Sequence, residues 1–153
     1  MTEPSFEAGQ RFSEMITTSG DPGYPGIWSH LGWKVAGVQP GRATLTWDAH
    51  TDHAFSAGDD WIIHGGMVTA LLDTAVGQAT WSLLNNDEVF LTADLRTEFY
   101  RPARPGLLRA SGWVVHKTRR ITFAAGEAHD ADDKLLASVR VTNMTIKLSQ
   151  EAP

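Results

Sequence analysis

The sequence predicts an α+β domain in which one antiparallel sheet wraps a single long helix. A chain of 153 residues has the size of one domain, about 100–200 residues. Its middle contains one helix pattern of about 20 residues, which is about 30 Å long and spans a small domain. Strand patterns lie before and after that helix, an order typical of α+β folds. We therefore expect residues 1–153 to form one domain built on a buried helix.

The composition limits the chemistry that this domain can perform. Hydrophobic residues make up 42% of the chain and there are six Trp and six Phe, so a core can form. The chain has no Cys, which excludes disulfides, thiolate metal sites and a Cys nucleophile. The histidines lack the spacing of metal ligands, and we assign no metal. The first 25 residues lack a basic start followed by an apolar run, so we expect a cytoplasmic protein.

The N-terminal part is predicted to contain a helix and a hairpin. An apolar stripe predicts a short amphipathic helix over residues 5–17, and the stretch SGDPGYPG ending at Gly26 predicts a loop. Residues 1–26 are thus an N-terminal helix and loop. Strands over 31–38 and 42–48 are joined at Gln39-Pro40-Gly41, a typical turn sequence. Residues 49–60 are polar, and we expect them to be irregular.

The long helix is predicted to begin near Gly65. Between Trp61 and Asn86 the only charged residue is Asp73. His64, two glycines and Asp73 interrupt the apolar run, so we exclude a membrane span. Apolar side chains occur nearly all round the helix, which is typical of a helix enclosed by its own protein. They are Val68, Leu71, Leu72, Ala75, Val76, Ala79, Leu83 and Leu84.

Four strands follow the helix. Between residues 91 and 100, apolar or small residues alternate with polar ones, which predicts that Leu91 and Leu95 share one face and Thr92 lies on the other. Further strands are predicted over 107–116, 119–129 and 135–147, and residues 148–153 form a tail.

Basic residues are concentrated in one segment of an acidic protein. The net charge is −5, yet from Arg96 to Arg120 the only acidic residue is Glu98. These bases are either solvated strand ends or a local anion site, since Arg and Lys bind phosphate. The acidic first part of the chain repels duplex DNA, and we expect no nucleic-acid partner. The candidates for a phosphate site are Lys117, Arg119 and Arg120.

Asp73 is the strongest candidate for a chemical role. A carboxylate within an apolar helix costs several kcal/mol unless it is paired, solvated by a cleft or protonated. One interpretation is a structural Asp bound to a backbone amide or an Arg. The other is a base or nucleophile whose pKa is raised by its apolar surroundings.

His64-Gly65-Gly66 lies where a loop becomes the helix. Glycines there allow a ligand to approach the backbone, and the first helical N–H groups have no internal acceptor, so they can bind an anion or an oxyanion. Gly65 and Asp73 are separated by about two turns, about 12 Å, too far to act on one carbonyl within one chain. A second subunit would close that gap, so we expect a homo-oligomer with sites at the subunit interface.

The order of these motifs resembles the PaaI-like and 4-hydroxybenzoyl-CoA thioesterases, over roughly residues 30–147. The segments that carry the resemblance are His64-Gly65-Gly66, Leu72-Asp73, Thr92-Ala93-Asp94-Leu95 and Phe99-Tyr100-Arg101-Pro102. The resemblance implies a hotdog fold, a dimer or dimer of dimers, and hydrolysis of an acyl-CoA carrying an aryl or a short or medium acyl group. It implies that the Gly65 amide polarises the carbonyl, that Asp73 of the neighbouring subunit is base or nucleophile, and that Thr92 helps to place water.

The sequence departs from that family at two positions before the motif. Many members have Asn six residues before the motif's His and Gly three residues before it, where this chain has Gly58 and Trp61. Asp59 or Asp60 is a candidate substitute for the Asn. Trp61 either narrows the acyl pocket or is a core aromatic. Gly58, Trp61 and Gly66 are therefore candidate substrate-binding residues.

The sequence therefore favours an acyl-CoA thioesterase without a cofactor, since CoA is part of the substrate. We expect His64 to hold the loop through a hydrogen bond, although it also titrates in the range of a base. Two alternatives remain open: a hotdog hydratase or dehydratase acting on an acyl thioester, and a non-catalytic acyl-CoA-binding module.

Overall fold

The computed structural model describes residues 26–148. The predicted helix over 5–17, its loop and most of the tail lie outside these residues. The helices are α1 (Gly26–Leu31) and α2 (Gly65–Trp81), with a 3₁₀ turn at Thr51–His53. The strands are β1 (Trp33–Gln39), β2 (Arg42–Ala49), β3 (Ala54–Ala57), β4 (Asp60–Ile63), β5 (Glu88–Phe99), β6 (Gly106–Lys117), β7 (Ile121–His129) and β8 (Leu135–Lys147).

Six strands form one antiparallel sheet in the order β1-β2-β6-β7-β8-β5. The neighbouring strands β1–β2, β6–β7 and β7–β8 form hairpins. At β2–β6 and β8–β5, strands that are distant in the sequence pair with each other. Strands β3 and β4 form a separate two-stranded ribbon. The twelve-residue β5 lies at one edge of the large sheet, and this position is important for the site described below.

Helix α2 lies against the concave face of the sheet and contacts all six of its strands. Most of its predicted apolar side chains are buried, while Thr69, Ala70 and Asp73 lie on a partly exposed side. The helix ends at Trp81, so the prediction that it includes Leu83 and Leu84 is wrong. The closest approach is at Gly112 of β6, where a Cβ would lie 2.5 Å from the backbone of Ala75. Only glycine allows that spacing. The predicted hotdog arrangement, a sheet wrapped around a long helix, is confirmed.

Two predictions about local structure are wrong. Residues 49–60 are largely ordered into the 3₁₀ turn and the β3–β4 ribbon, because Gly58 has a φ of 69° and closes a tight hairpin. Leu31 ends helix α1, and the first strand starts only at Trp33. Within residues 26–148, no helix is long and apolar enough to cross a membrane.

Candidate functional site

His64 caps the N-terminus of α2 and fixes the loop before it. Its Nδ1 accepts a hydrogen bond from the N–H of Gly66 at 3.0 Å. Its carbonyl accepts from the N–H groups of Met67 and Val68. Its own N–H donates to the carbonyl of His53 at 2.9 Å. These bonds place His64 where the sequence predicts a loop-holding residue.

These bonds leave one donor of the first helical turn free. An N–H at the first helical position has no acceptor within its own helix, and the structure gives the N–H of Gly65 no acceptor elsewhere in residues 26–148. The positive end of the helix dipole lies at the same point. Gly65 therefore offers an unused hydrogen-bond donor in a region that favours negative charge.

The ring of Phe99 covers the other side of Gly65. A Cβ at position 65 would lie 3.1 Å from Cζ and 3.3 Å from Cε1 of Phe99, which is tight for any side chain. Phe99 ends β5 and is 54% exposed. A cleft of about 360 Å³ opens beside this contact. Its apolar walls come from the ribbon, α2, β5 and β8, and include Phe55, Ile62, Val68 and Leu136.

Asp73 lies on the same helix, partly buried on the side that faces β5. Its Oδ1 accepts a hydrogen bond from the Thr92 hydroxyl at 3.3 Å. Burial raises the pKa of Asp73 above its ordinary value, and the Thr92 hydrogen bond opposes part of that rise. No Arg, Lys or backbone N–H in residues 26–148 pairs with it, so the alternative of a structurally paired Asp is not supported there.

A β-bulge directs Thr92 toward the helix. The pairing of β5 with β8 shifts between Thr92 and Asp94. Thr92 lies opposite the buried Asn143 on the inner face, whereas Leu91 lies opposite Met144 on the outer face and is 61% exposed. Leu95 lies opposite the buried Val141 and so shares the inner face with Thr92. Leu91 and Thr92 therefore face opposite ways, as predicted, but the prediction that Leu91 and Leu95 share one face is wrong. The extra residue in the bulge reverses the facing of the strand at that point.

The basic segment divides into paired and unpaired side chains. Arg96 and Arg104 pair with Glu98 and Asp60, Arg109 pairs with Asp133, and Arg101 donates to the carbonyl of Leu135. Lys117, Arg119 and Arg120 have no carboxylate partner in the part of the chain that the structure describes. They cluster at the β6–β7 hairpin. Lys117, like Arg101, donates to a backbone carbonyl, that of Thr118 at 3.4 Å.

That hairpin lies at the same end of the sheet as Thr92. Thr145 of β8 donates its N–H to the carbonyl of Arg120, and Thr145 also lies opposite Phe90 of β5. Phe90 is two residues from Thr92. The β6–β7 turn and Thr92 are therefore at the same end of the sheet.

The ribbon carries the residues that depart from the family pattern. Gly58 lies in its exposed turn, outside the cleft walls. Trp61 is 45% exposed, so the alternative of a core aromatic is wrong; its neighbour Ile62 lines the cleft instead. The ion pair with Arg104 holds the pKa of Asp60 below its ordinary value, and that carboxylate also accepts the N–H of Trp61. The Asp60 carboxylate is therefore held by Arg104 and by the backbone of the ribbon.

Sequence reasoning missed the part of the site formed by Phe99 and Phe55. Phe99 belongs to a recognisable motif, but its contact with Gly65 joins residues far apart in sequence. The one available signal is the glycine at position 65, which implies that something approaches it closely.

Comparisons with known proteins agree with this fold. A family model of the thioesterase superfamily matches residues 62–137. The medium/long-chain acyl-CoA thioesterase YigI of Salmonella typhimurium is 28% identical over an alignment of 96 residues that covers 54% of this chain and 62% of that protein. The chain thus spans less than two thirds of this relative's length.

Two solved structures share the whole fold. A thioesterase family protein from Silicibacter pomeroyi superposes with a TM-score of 0.78 at 23% identity, covering 94% of this chain and 99% of its own. A phenylacetic acid degradation-related protein from Ralstonia eutropha superposes with a TM-score of 0.77 at 25% identity, covering 90% and 98%.

Proposed function

Because this chain belongs to the hotdog-fold thioesterase superfamily, we propose that it hydrolyses the thioester of an acyl-CoA to a free acid and CoA. The observation that carries the proposal is the free N–H of Gly65, which lies at the helix N-terminus beside an apolar cleft. The acyl-CoA substrate of the Salmonella relative supports the same substrate class.

The Gly65 amide would polarise the thioester carbonyl. Attack on that carbonyl places negative charge on its oxygen, and a donor already aimed at this point stabilises the charge without reorganisation. One such donor contributes about 3–4 kcal/mol to the transition state. His64 contributes by holding the loop, and the close approach of substrate to the backbone requires Gly65 and Gly66 to remain small.

Asp73 would activate water as a general base, or attack to form an anhydride that water then opens. Its raised pKa makes it a stronger base than an ordinary Asp. Thr92, which donates to its carboxylate, would orient either the carboxylate or the water.

The two groups would come from different subunits. Gly65 contacts β5 at Phe99 and Asp73 contacts β5 at Thr92, and these two points are about 23 Å apart along an extended strand. Because β5 is an edge strand with unpaired backbone groups, a second β5 can add to it antiparallel. A two-fold axis near the middle of this stretch would place Thr92 of one subunit beside Phe99 of the other. We therefore propose a homodimer with two composite sites.

CoA would lie along the surface toward the unpaired bases of the β6–β7 hairpin. Their hairpin lies at the same end of the sheet as Thr92, which supports the proposal that Lys117, Arg119 and Arg120 of the subunit that supplies the carboxylate would also bind the phosphates. Charge-assisted hydrogen bonds from these side chains suit phosphate oxygens.

The experiment that tests this proposal is a thiol-release assay over aromatic, short-chain and long-chain acyl-CoAs, with Asp73→Asn compared with wild type. We expect wild type to release CoA and Asp73→Asn to lose most turnover. The matched control is Asp48→Asn, an exposed carboxylate of β2, which should keep full activity.

Asp73→Asn should also fold. Since the pKa of Asp73 is raised in the native state, its charge destabilises the fold at neutral pH, and removing the charge should not lower Tm. Near-wild-type turnover of folded Asp73→Asn would contradict the proposal. Loss of enoyl-CoA absorbance without thiol release would indicate a hydratase, and stabilisation by CoA without any reaction would indicate a binding module.

A further inference from the structure

The cleft beside Gly65 contains a cation. Apart from Tyr100 and Arg101, the described residues that line it have apolar side chains or none. The Tyr100 hydroxyl lies 2.7 Å from Ser138 Oγ and donates to Glu98, both on the outer face of the sheet. No acidic residue in the described part of the chain lines the cleft. Arg101 therefore gives the cleft a positive charge that no residue of its walls neutralises.

Most of the hydrogen-bond donors of Arg101 are unused. A guanidinium carries five N–H donors, and within residues 26–148 the bond from Nη1 to the carbonyl of Leu135, at 2.8 Å, is the one that this side chain makes. No carboxylate of these residues lies within ion-pair distance of it, whereas the nearby Arg104 pairs with Asp60. The free edge of Arg101 can therefore bind a carboxylate through two parallel hydrogen bonds.

The backbone holds Arg101 in place at the cleft. Its N–H donates to the carbonyl of Leu136 at 3.1 Å, and Leu136 lines the same cleft. The bond from Nη1 to Leu135 fixes the guanidinium at the start of β8. Pro102 follows with a backbone φ that its ring restricts. A side chain held in this way loses little conformational freedom when an anion binds to it.

Arg101 lies close to the position proposed for the thioester carbonyl. A Cβ at Gly65 would lie 3.1 Å from the ring of Phe99. Arg101 follows Phe99 by two residues, which span at most about 7 Å of extended chain. An acyl chain of about five or six carbons, with bonds of about 1.5 Å, covers a similar distance. Such a chain can therefore extend from the Gly65 amide to Arg101 within one cleft.

From this arrangement we propose that the acyl group ends in a carboxylate that pairs with Arg101, so that the substrate class is the CoA monothioester of a short dicarboxylic acid. This inference rests on the proposed function, which places the thioester carbonyl at Gly65. The methylene groups between the two ends lie along Phe55 and Ile62, which line the cleft. Because Arg101 is exposed, the carboxylate keeps part of its water and avoids the full cost of burial.

The test compares kcat/KM for thiol release within pairs of equal chain length. The probes are glutaryl-CoA against pentanoyl-CoA and adipoyl-CoA against hexanoyl-CoA, which differ only at the end of the acyl chain. We expect the carboxylate-ended member to be preferred about 3- to 10-fold at one length or both, the range for a charge-assisted hydrogen bond at an exposed site. Equal or greater kcat/KM for the methyl-ended member at both lengths would overturn the inference while leaving thioester hydrolysis intact.

Arg101→Gln tests whether this guanidinium causes the preference. The ratio of kcat/KM within each pair should fall about 3- to 10-fold toward the methyl-ended member. The matched control is Arg104→Gln, which removes the same charge from a side chain outside the cleft walls and should leave the ratio unchanged. A ratio that Arg101→Gln does not change would overturn the inference. Equal losses on both members would assign Arg101 to CoA, which the two members share.

The same ranking is measured as binding, so that it does not depend on turnover. S-(4-carboxybutyl)-CoA and S-pentyl-CoA are thioethers that lack the scissile carbonyl, and they differ only at the end of the chain. Tighter binding of the carboxylate-ended thioether, lost in Arg101→Gln, supports the inference even when no thiol is released from any acyl-CoA, an outcome that would contradict only the proposed function. Equal or tighter binding of S-pentyl-CoA would contradict the inference.

Discussion

A pair of substitutions at Gly65 separates the proposed oxyanion donor from the shape of the site. Gly65→Ala and Gly65→Pro both add a Cβ, which would lie 3.1 Å from the ring of Phe99. Only Gly65→Pro also removes the N–H. The contribution of the Cβ cancels between the two variants. Their difference therefore measures the loss of the N–H together with the ring carbon that takes its place.

The local backbone suits both variants. Gly65 is the first residue of α2, where proline is favoured and no helical hydrogen bond is lost. His64 has φ −56° and ψ 129°, a conformation allowed before proline. We therefore expect both variants to fold, with Tm values that agree within a few degrees.

The expected difference follows from the energy of one oxyanion donor. A loss of about 3–4 kcal/mol corresponds to a fall in kcat of about 10²–10³-fold for Gly65→Pro relative to Gly65→Ala. Thiol release with the best acyl-CoA gives kcat, and circular dichroism checks folding. Repeating the pair in a Phe99→Ala background removes the ring contact, and the ratio should persist. A folded Gly65→Pro enzyme within about 3-fold of Gly65→Ala would refute the role of this amide.

Two further predictions concern the pKa of Asp73 and the packing of α2. Because Asp73 must be ionised to act as a base, kcat/KM should fall at acid pH with a midpoint above the ordinary pKa of Asp. Thr92→Val removes a hydrogen bond to the Asp73 carboxylate and should move this midpoint to higher pH. The control Thr92→Ser keeps a hydroxyl and should leave the midpoint unchanged. A midpoint unmoved by Thr92→Val would contradict the observed contact. The Cβ of Gly112→Ala would lie 2.5 Å from the backbone of α2. This variant should lower the free energy of unfolding by about 3 kcal/mol or more and Tm by about 6–12 °C. The control Gly37→Ala places its Cβ in open space and should leave Tm unchanged.

The sequence predicts the large elements because each leaves a periodic signal. The helix from Gly65 is apolar on all sides, and β8 runs over Leu135–Lys147 in both the prediction and the structure. The β3–β4 ribbon escaped prediction because its strands are only four residues long and all of their residues except Ile63 are at least partly exposed. Short exposed strands carry little of the alternation that burial imposes.

The candidate site shows the same limit at the level of single residues. The free amide at Gly65 and the partly buried Asp73 follow from helix geometry and composition. The placing of Thr92 and Leu95 on one face does not, because a single bulge between them breaks the alternation. The contact of Phe99 with Gly65 depends on how β5 crosses the helix N-terminus, which no local pattern encodes.

The central claim is that one subunit supplies the Gly65 amide and its partner supplies Asp73. The most direct measurement is the activity of a mixed dimer formed by co-expressing Gly65→Pro and Asp73→Asn chains, each inactive alone. In a composite site, one of the two sites of each mixed dimer combines an intact Gly65 with an intact Asp73. Random pairing of equal amounts should then restore about one quarter of wild-type activity per subunit. If each site lay within one chain, no mixed dimer would contain an intact site, and mixing would restore nothing.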